Sequence, residues 1–191
     1  MKTKFVMAAA MLLCALCASA QDKSGEILSK ISGSPARKAK VERRFNEERN
    51  FPEGQGTKKE LSGLLSYDPD VKIMMKYDNG EEFSIDGDIM VIDRDGKRMQ
   101  FDTSKNLMMR GLSHAILYAY SGNLDELAKE QKARLLCNEK NGKYVVALTA
   151  LAVSARGYSC IEVTYKAGTC ELESIRMDEF NGAKTFYKYE K

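Results

Sequence analysis

Apolar and polar residues alternate with a period of two through much of the chain after residue 60. The segments GLLSY, VKIMMKY, EEFSID, DIMVID and KRMQFD follow one another, separated by the turn sequences DPD, DNG, DG and DRDG. In VKIMMKY, the apolar residues at 71, 73, 75 and 77 would share one face of a strand, with two lysines on the other. This pattern predicts hairpins in an antiparallel sheet with one solvated face.

The period changes to that of a helix in the segment NLMMRGLSHAILYAY, which covers residues 106–120. Thr103 or Ser104 is expected to cap the N-terminus of this helix. The sequence SGN at 121–123 ends it, and LDELAKE then predicts a short polar turn or a second helical piece. Helical spacing predicts a single apolar stripe, made of Met108, Leu112, Ala115, Ile116 and Ala119.

Strand-like segments resume after this helix as KARLLCNE, YVVALTAL, SCIEVTY, LESIRMDE and TFYKYE, with Asn-Gly turns at 141–142 and 181–182. Near the start, residues 22–32 place Ile27, Leu28 and Ile31 at helical spacing. The segment ARKAKVERRFNEERNF fits either a charged helix or a strand, and we favour a strand. The pattern therefore predicts roughly eleven antiparallel strands, with one helix near the start and one in the middle.

The first twenty residues have the composition of a secretory signal peptide. Two lysines precede an apolar run over 5–17, and Ala-Ser-Ala at 18–20 resembles a cleavage site. We therefore expect cleavage after Ala20, export and a single domain over residues 21–191. Leucine, rather than a small residue, precedes both Cys14 and Cys17, so a lipid anchor is disfavoured. The apolar run is also shorter than the ~20 residues that cross a bilayer.

Charge and cysteine content narrow the function further. Removing residues 1–20 takes away two lysines and no acidic residue, so the formal net charge falls from +3 to +1. This small charge gives no electrostatic basis for binding nucleic acid. Cys137, Cys160 and Cys170 are spaced too widely for a disulfide framework or a metal knuckle, so at least one free thiol is expected.

Catalytic signals are weak. His114 is the single histidine, and neither a Gly-x-Ser-x-Gly elbow nor a glycine-rich phosphate loop occurs. We expect His114 to be a partly exposed or hydrogen-bonded helix residue. The acidic segment IDGDIMVIDRDGK loosely resembles a calcium loop, but it lacks the terminal glutamate of an EF-hand, and hairpin turns explain its Asp-Gly pairs. The sequence predicts a non-enzyme without metal or cofactor.

Methionines are frequent in the predicted strands and in the middle helix. Methionine is flexible and polarizable, so several together suit a surface that repacks around a variable apolar ligand, although ordinary core is the better reading of any single one. The methionines concerned are Met74, Met75, Met90, Met99, Met108, Met109 and Met177.

The order of these elements, with GLLSYDPDVKIMMKY, FSIDGDIMVID and FDTSKNLMMRGLSHAILYAYSGN, resembles the periplasmic outer-membrane lipoprotein carrier family, the LolA-like proteins. The similarity covers the chain from about Ser24 to Tyr189 and rests on order and spacing. It implies an incomplete, half-open β-barrel covered by helices that act as a lid. It also implies that acylated lipoproteins are received from an inner-membrane lipoprotein-releasing transporter and passed to an outer-membrane acceptor.

On this resemblance, NLMMRGLSHAILYAY is the lid helix, and it shields a cavity for acyl chains. We expect a monomer whose cavity is shallow or partly filled by lid residues such as Leu112 and Ile116. An arginine just before the proline of the second strand holds the lid closed in family members, but Asp68 occupies that position here. By strand parity, the wall of the cavity would consist of Phe45, Leu65, Ile73, Met75, Phe83, Ile85, Met99 and Phe101.

Two alternatives remain open at this stage. An exported module of the same fold could bind or sense a hydrophobic molecule or a partner protein without moving cargo. An exported hydrolase would need a recognisable nucleophile and base, and His114 is the only histidine available.

Overall fold

The computed structural model describes residues 23–69, 72–153 and 157–190, without the side chains of residues 107 and 108. The expected signal peptide and its cleavage site lie outside these residues. Within them, the helices are α1 (23–32), α2 (Leu107–Ser121) and α3 (Leu124–Glu130), and short 3₁₀ turns cover Pro35–Arg37 and Thr103–Lys105. The strands are β1 (Val41–Asn50), β2 (Lys59–Asp68), β3 (Lys72–Tyr77), β4 (Glu82–Asp86), β5 (Ile89–Arg94), β6 (Lys97–Asp102), β7 (Ala133–Lys140), β8 (Lys143–Ala150), β9 (Tyr158–Lys166), β10 (Leu172–Glu179) and β11 (Lys184–Tyr189).

The strands form one antiparallel sheet in the order β6-β5-β4-β3-β2-β1-β11-β10-β9-β8-β7. The first and last strands, β1 and β11, pair in the middle, with Phe45 opposite Tyr189. β6 and β7 are adjacent in the chain but occupy the two edges of the sheet. The prediction of an open, eleven-stranded antiparallel barrel with helices is confirmed.

Residues 103–132 connect the two edges and carry α2 and α3. Because β6 and β7 lie at opposite ends of the strand order, this connection has to cross the open side of the sheet. The C-terminal part of α2 contacts strands on both sides of β1. Tyr120 packs its ring 5.0 Å from that of Tyr67 in β2 and 5.4 Å from that of Tyr189 in β11. The hydroxyl of Tyr165, in β9, donates to the carbonyl of Ala119 at 2.7 Å.

The core lies between the helices and the concave face of the sheet. Alternate strand residues are buried, and the register aligns them across neighbouring strands, as in Leu65–Met75–Phe83. The other half of the sheet has a matching row, Val146–Val163–Ile175. From α1, Ile27 and Ile31 are buried in the same core, so helices and sheet share one apolar interior.

Two hairpin turns have the backbone that their sequences predict. Asp95 and Gly96 have φ values of 54° and 70°, and Asn141 and Gly142 have values of 53° and 70°. Two consecutive positive φ angles are characteristic of type I′ turns, whose twist matches that of the flanking strands. Turn geometry therefore explains Asp95, the second aspartate of DRDG.

Three local assignments follow from the structure. The segment that fits a helix or a strand forms β1, and LDELAKE forms α3. The predicted cap of α2 was wrong, because Thr103–Lys105 forms a 3₁₀ turn and Asn106 is the N-cap, its Oδ1 accepting from the amide of Met109 at 3.2 Å.

Cys137, Cys160 and Cys170 are all free thiols. Burial raises the pKa of Cys137 to about 11, which keeps this thiol protonated at neutral pH. In the part of the chain that the structure describes, each helix is too short or too polar to span a membrane.

Gly63 of β2 lies where the backbone of β3 and an aromatic ring approach closely. A Cβ atom at this position would lie 2.2 Å from the carbonyl oxygen of Lys76 and 2.8 Å from Cε1 of Phe45. The backbone oxygen cannot move away without disturbing the β2–β3 ladder, so this position requires glycine.

We predict that Gly63→Ala lowers the free energy of unfolding by about 2 kcal/mol or more, since overpacking strains the strand pair. Urea denaturation measures this change. Gly168→Ala is the matched control, because a Cβ atom added at that position would have no other atom within 4 Å, and it should change stability little. Equal stabilities for the two variants would contradict the proposed clash.

Candidate functional site: the concave face and the helix that covers it

The eight predicted wall residues lie on one face of the sheet, as the strand register shows. Phe45, Leu65, Ile73, Met75 and Ile85 have no accessible surface, and Phe83 is also buried. A side chain with no accessible surface touches no space large enough for water, so the interior is filled around these residues.

The two remaining predicted wall residues lie on β6, at the edge of the sheet. Phe101 is half-buried and pairs with Met90, whereas Met99 is 43% exposed. An edge strand has a neighbour on one side only, so its side chains are covered less completely. The structure therefore brings the first six residues together under the helices and leaves Met99 at the margin.

The predicted apolar stripe of α2 faces the interior. Ala115, Ile116 and Ala119 have no accessible surface, and Leu112 is half-buried. The side chain of Met108 lies outside the described part of the structure. The buried face of α2 thus occupies the space that an apolar ligand would need.

Arg37 attaches the C-terminal end of α2 to the sheet. Its guanidinium donates to the carbonyls of Ala119 at 3.1 Å and Tyr120 at 2.9 Å, and also to the carbonyl of Cys170. The side chain is buried and lies over the ring of Tyr165, 5.1 Å from its centroid. A cation at a helix C-terminus also complements the helix dipole, so this one side chain satisfies several polar groups between helix and sheet.

Asp68, at the position of the family's arginine, does not make this contact, and neither do Arg43 and Arg110. Asp68 pairs with Lys40 at 2.7 Å. Arg43 donates to the carbonyls of Glu190 and Leu172, both at 2.8 Å. It thus links β1 to the start of β10 and to the residue after β11. Arg110 lies 3.3 Å from Glu130 on α3. Sequence reasoning missed Arg37, because its contacts with α2 are more than eighty positions away in the chain.

His114 takes part in a polar cluster between α2 and α3. Its Nδ1 lies 2.6 Å from a carboxylate oxygen of Glu130, and Tyr118 donates its hydroxyl to the same carboxylate at 3.0 Å. Partial burial works to raise the pKa of Glu130, but hydrogen bonds from His114, Tyr118 and Arg110 outweigh it and lower the pKa overall. The histidine joins the two helices, in agreement with the prediction of a hydrogen-bonded helix residue.

Tyrosines form an unpredicted part of the interior. Tyr67, Tyr120, Tyr165, Tyr187 and Tyr189 are all buried. Burial raises the pKa of each of Tyr120, Tyr165, Tyr187 and Tyr189, so these hydroxyls stay neutral. Strand parity was the available signal, since Tyr187 and Tyr189 lie two positions apart on either side of Lys188. The interior is therefore amphipathic rather than purely aliphatic.

The described residues contain no group of histidine, cysteine, aspartate and glutamate that could hold a metal ion. The arrangement offers instead an apolar concave surface, a helix that fills it, and a few polar attachments. Such a site suits reversible binding of an apolar chain.

Neither the protein-family models nor the curated proteins match this sequence. Among solved structures, the chain is similar to a LolA superfamily protein from Nitrosomonas europaea, with 8% identity, a TM-score of 0.41 and coverage of 88% of this chain and 91% of that one. It is also similar to the lipoprotein LppX from Mycobacterium tuberculosis, with 14% identity, a TM-score of 0.42 and coverage of 87% and 94%. LprF from Mycobacterium bovis is also similar, with 13% identity, a TM-score of 0.38 and coverage of 88% of this chain and 92% of that one.

Proposed function

We propose that this protein binds the acyl chains of lipoproteins between α2 and the concave face of the sheet. It carries them through the periplasm from the inner to the outer membrane. The observation that supports this proposal is the apolar stripe of α2, of which Ala115, Ile116 and Ala119 are fully buried, on an apolar concave surface. An acyl chain can replace that stripe when the helix moves away.

The size of the hydrophobic effect explains why a self-filled site suits a carrier. Burying one methylene contributes ~0.8 kcal/mol, so one long acyl chain would gain on the order of 10 kcal/mol in a dry site. A preformed empty cavity would bind two or three chains too tightly to release them. Opening α2 exposes Ile116 and breaks the contacts of Arg37, and this cost lowers the net affinity to a level that permits delivery.

The carrier needs two partners of different kinds. An inner-membrane lipoprotein-releasing transporter supplies the cargo, and an outer-membrane acceptor receives it. The carrier itself acts as a monomer, since a closed complex with one lipoprotein already covers the concave face. Binding and release, rather than chemistry on the cargo, constitute its activity.

The apolar stripe of α2 provides the first test. Replacing Leu112 and Ile116 with aspartate should weaken binding of a fluorescent acyl probe at least tenfold, because charged groups would face the bound chain. Fluorescence titration measures the affinity, and circular dichroism confirms the fold. Lys129→Asp on α3, an exposed position, is the control. Unchanged binding by a folded double variant would refute the role of α2.

Arg37 provides the second test. Arg37→Met keeps the aliphatic stem but removes the donors to Ala119 and Tyr120, so the melting temperature should fall. The affinity for the acyl probe should rise several-fold, because α2 opens at a lower cost. Arg98→Met, at an exposed position on β6, should change neither quantity. Weaker or equal probe binding by folded Arg37→Met would contradict opening at this end of α2.

Transport itself is tested in cells. Depletion of the protein should leave outer-membrane lipoproteins in the inner membrane, because their acyl chains cannot cross the aqueous periplasm unshielded. Membrane fractionation followed by immunoblotting measures their distribution. Normal sorting after depletion, together with acyl binding in vitro, would instead favour a module that binds hydrophobic ligands without carrying cargo.

A further inference from the structure

An ion pair is buried where the concave face meets the rim formed by the β1–β2, β3–β4 and β10–β11 connections. Glu47 of β1 is only 1% exposed, and it lies opposite Leu61 and Tyr187 on the apolar face of the sheet. Its carboxylate accepts from the hydroxyl of Tyr77 at 2.6 Å and from Nε of Arg49. The carboxylate of Glu47 is thus held among side chains that are aromatic or aliphatic, with Arg49 as its charged partner.

Stability alone does not account for this pair. Removing two charges from water costs several kcal/mol per ion, and apolar residues of similar volume often stabilise a core at least as well. Phe45 and Tyr187 show that aromatic side chains fit on this part of the concave face. The polar groups at Glu47 and Arg49 are therefore candidates for a role in binding.

Arg49 directs unused hydrogen-bonding capacity toward a cavity. Its side chain is 34% exposed and lines a cavity of about 250 Å³ at this rim. Nε is bound to Glu47, but neither Nη group has an acceptor among the residues that the structure describes. A guanidinium has five donors in a planar fork. The donors of Arg49 that do not bind Glu47 can donate hydrogen bonds to a ligand in the cavity.

Part of the lining of this cavity is apolar and includes the start of the covering helix. Met109 and Leu112 of α2 line it together with Phe83 of β4. Phe51, at the mouth, is 38% exposed. The cavity therefore reaches the start of α2, where Leu112 of the apolar stripe and Arg49 of β1 line the same space.

The charge of the lining indicates which polar group fits. Three cationic and three acidic side chains line the cavity, and the carboxylate of Glu47, which is bound to Arg49, brings the formal charge of the site to −1. A free carboxylate or a phosphate gains little here, whereas a neutral carbonyl oxygen can accept from Arg49. The six charged residues are Arg49, Arg94, Lys184, Glu81, Glu82 and Glu179.

We infer that Arg49, held in place by Glu47, binds the carbonyl oxygen of an ester or amide that joins an acyl chain to a neutral head group. This inference rests on the proposed acyl-binding function and adds to it the recognition of the linkage. The acyl chain then extends past Met109 and Leu112 beneath α2. Glu47 is a positioning residue, since it contacts Arg49 and does not line the cavity.

Two glycerol lipids that differ in one group test the inference. Both carry the same chain with a fluorophore at its far end, but one is the ester and the other is the ether, which lacks the carbonyl oxygen. The protein should bind the ester about tenfold more tightly, as expected for a hydrogen bond to a charged donor. Equal binding of the two would overturn the inference, as would a preference for the corresponding free fatty acid.

The variant that tests the site replaces both members of the pair, Glu47→Gln with Arg49→Gln. Removing both charges leaves neither ion buried without a partner, and the amide oxygen introduced by Glu47→Gln can still accept from Tyr77. The double variant should bind the ether as before and lose most of its advantage for the ester. If the folded double variant still binds the ester about tenfold more tightly than the ether, Arg49 does not recognise the ester linkage.

The matched control is a second arginine–carboxylate pair that begins on the same strand. Arg44 donates to Asp78 at 2.9 and 2.6 Å, and both side chains are about half exposed. Arg44→Gln with Asp78→Asn should keep the tenfold preference. Failure of the unaltered protein to bind either lipid would refute the acyl-binding function itself, whereas equal binding of both refutes only the role of Arg49.

Discussion

The position of β6 and β7 at opposite edges of one sheet is the constraint on which the rest of the structure depends. These strands are consecutive in the chain, so the residues between them must cross from edge to edge. The crossing segment lies over an apolar concave surface, and it can do so stably only if its own buried face is apolar. The stripe on α2 follows from this requirement. The same surface is therefore both the core of the protein and its candidate binding site.

Polar groups at the margins of this interface determine how strongly α2 is attached to the sheet and to α3. The C-terminal carbonyls of α2 are satisfied by Arg37, and the α2–α3 junction is joined by the carboxylate of Glu130. Apart from these attachments and the hydrogen bond from Tyr165 to the carbonyl of Ala119, aliphatic and aromatic side chains make most of the described contact. Apolar contacts can be exchanged for those of a ligand at similar free energy, whereas hydrogen bonds must be replaced by others or by water. Because hydrogen bonds lie at the margins and apolar contacts lie elsewhere, the arrangement favours motion of α2 as a unit.

Periodicity and turn chemistry predicted most of the fold. The period of two, interrupted by Asn-Gly and Asp-Gly, predicted the number of strands, and the period of 3.6 predicted α2 with its buried face. The cap was missed because Thr103, a good capping residue, instead donates its amide and its hydroxyl to the carbonyl of Asp88. Local pattern cannot reveal such a contact.

The polar part of the site was not predictable in the same way. Arg37 lies in a short Pro-Ala-Arg sequence that carries no signal of its own, and its partners are brought to it only by the tertiary fold. Glu47 stands among charged residues in VERRFNEERN, where composition suggests a solvated strand. Its parity with Phe45 was the one available indication of its inward position. Burial of single charged residues depends on what the rest of the chain places around them, which periodicity does not encode.

Pairing of the first and last strands has a consequence for how the concave surface forms. β1 and β11 meet in the middle of the sheet, so the half built from β2–β6 and the half built from β7–β10 each fold from local hairpins. The two halves join only when β11 is available, and such long-range pairing is slow. A chain that emerges from its N-terminus would therefore complete its concave surface last. An apolar molecule could occupy the whole of that surface only after β11 has paired with β1.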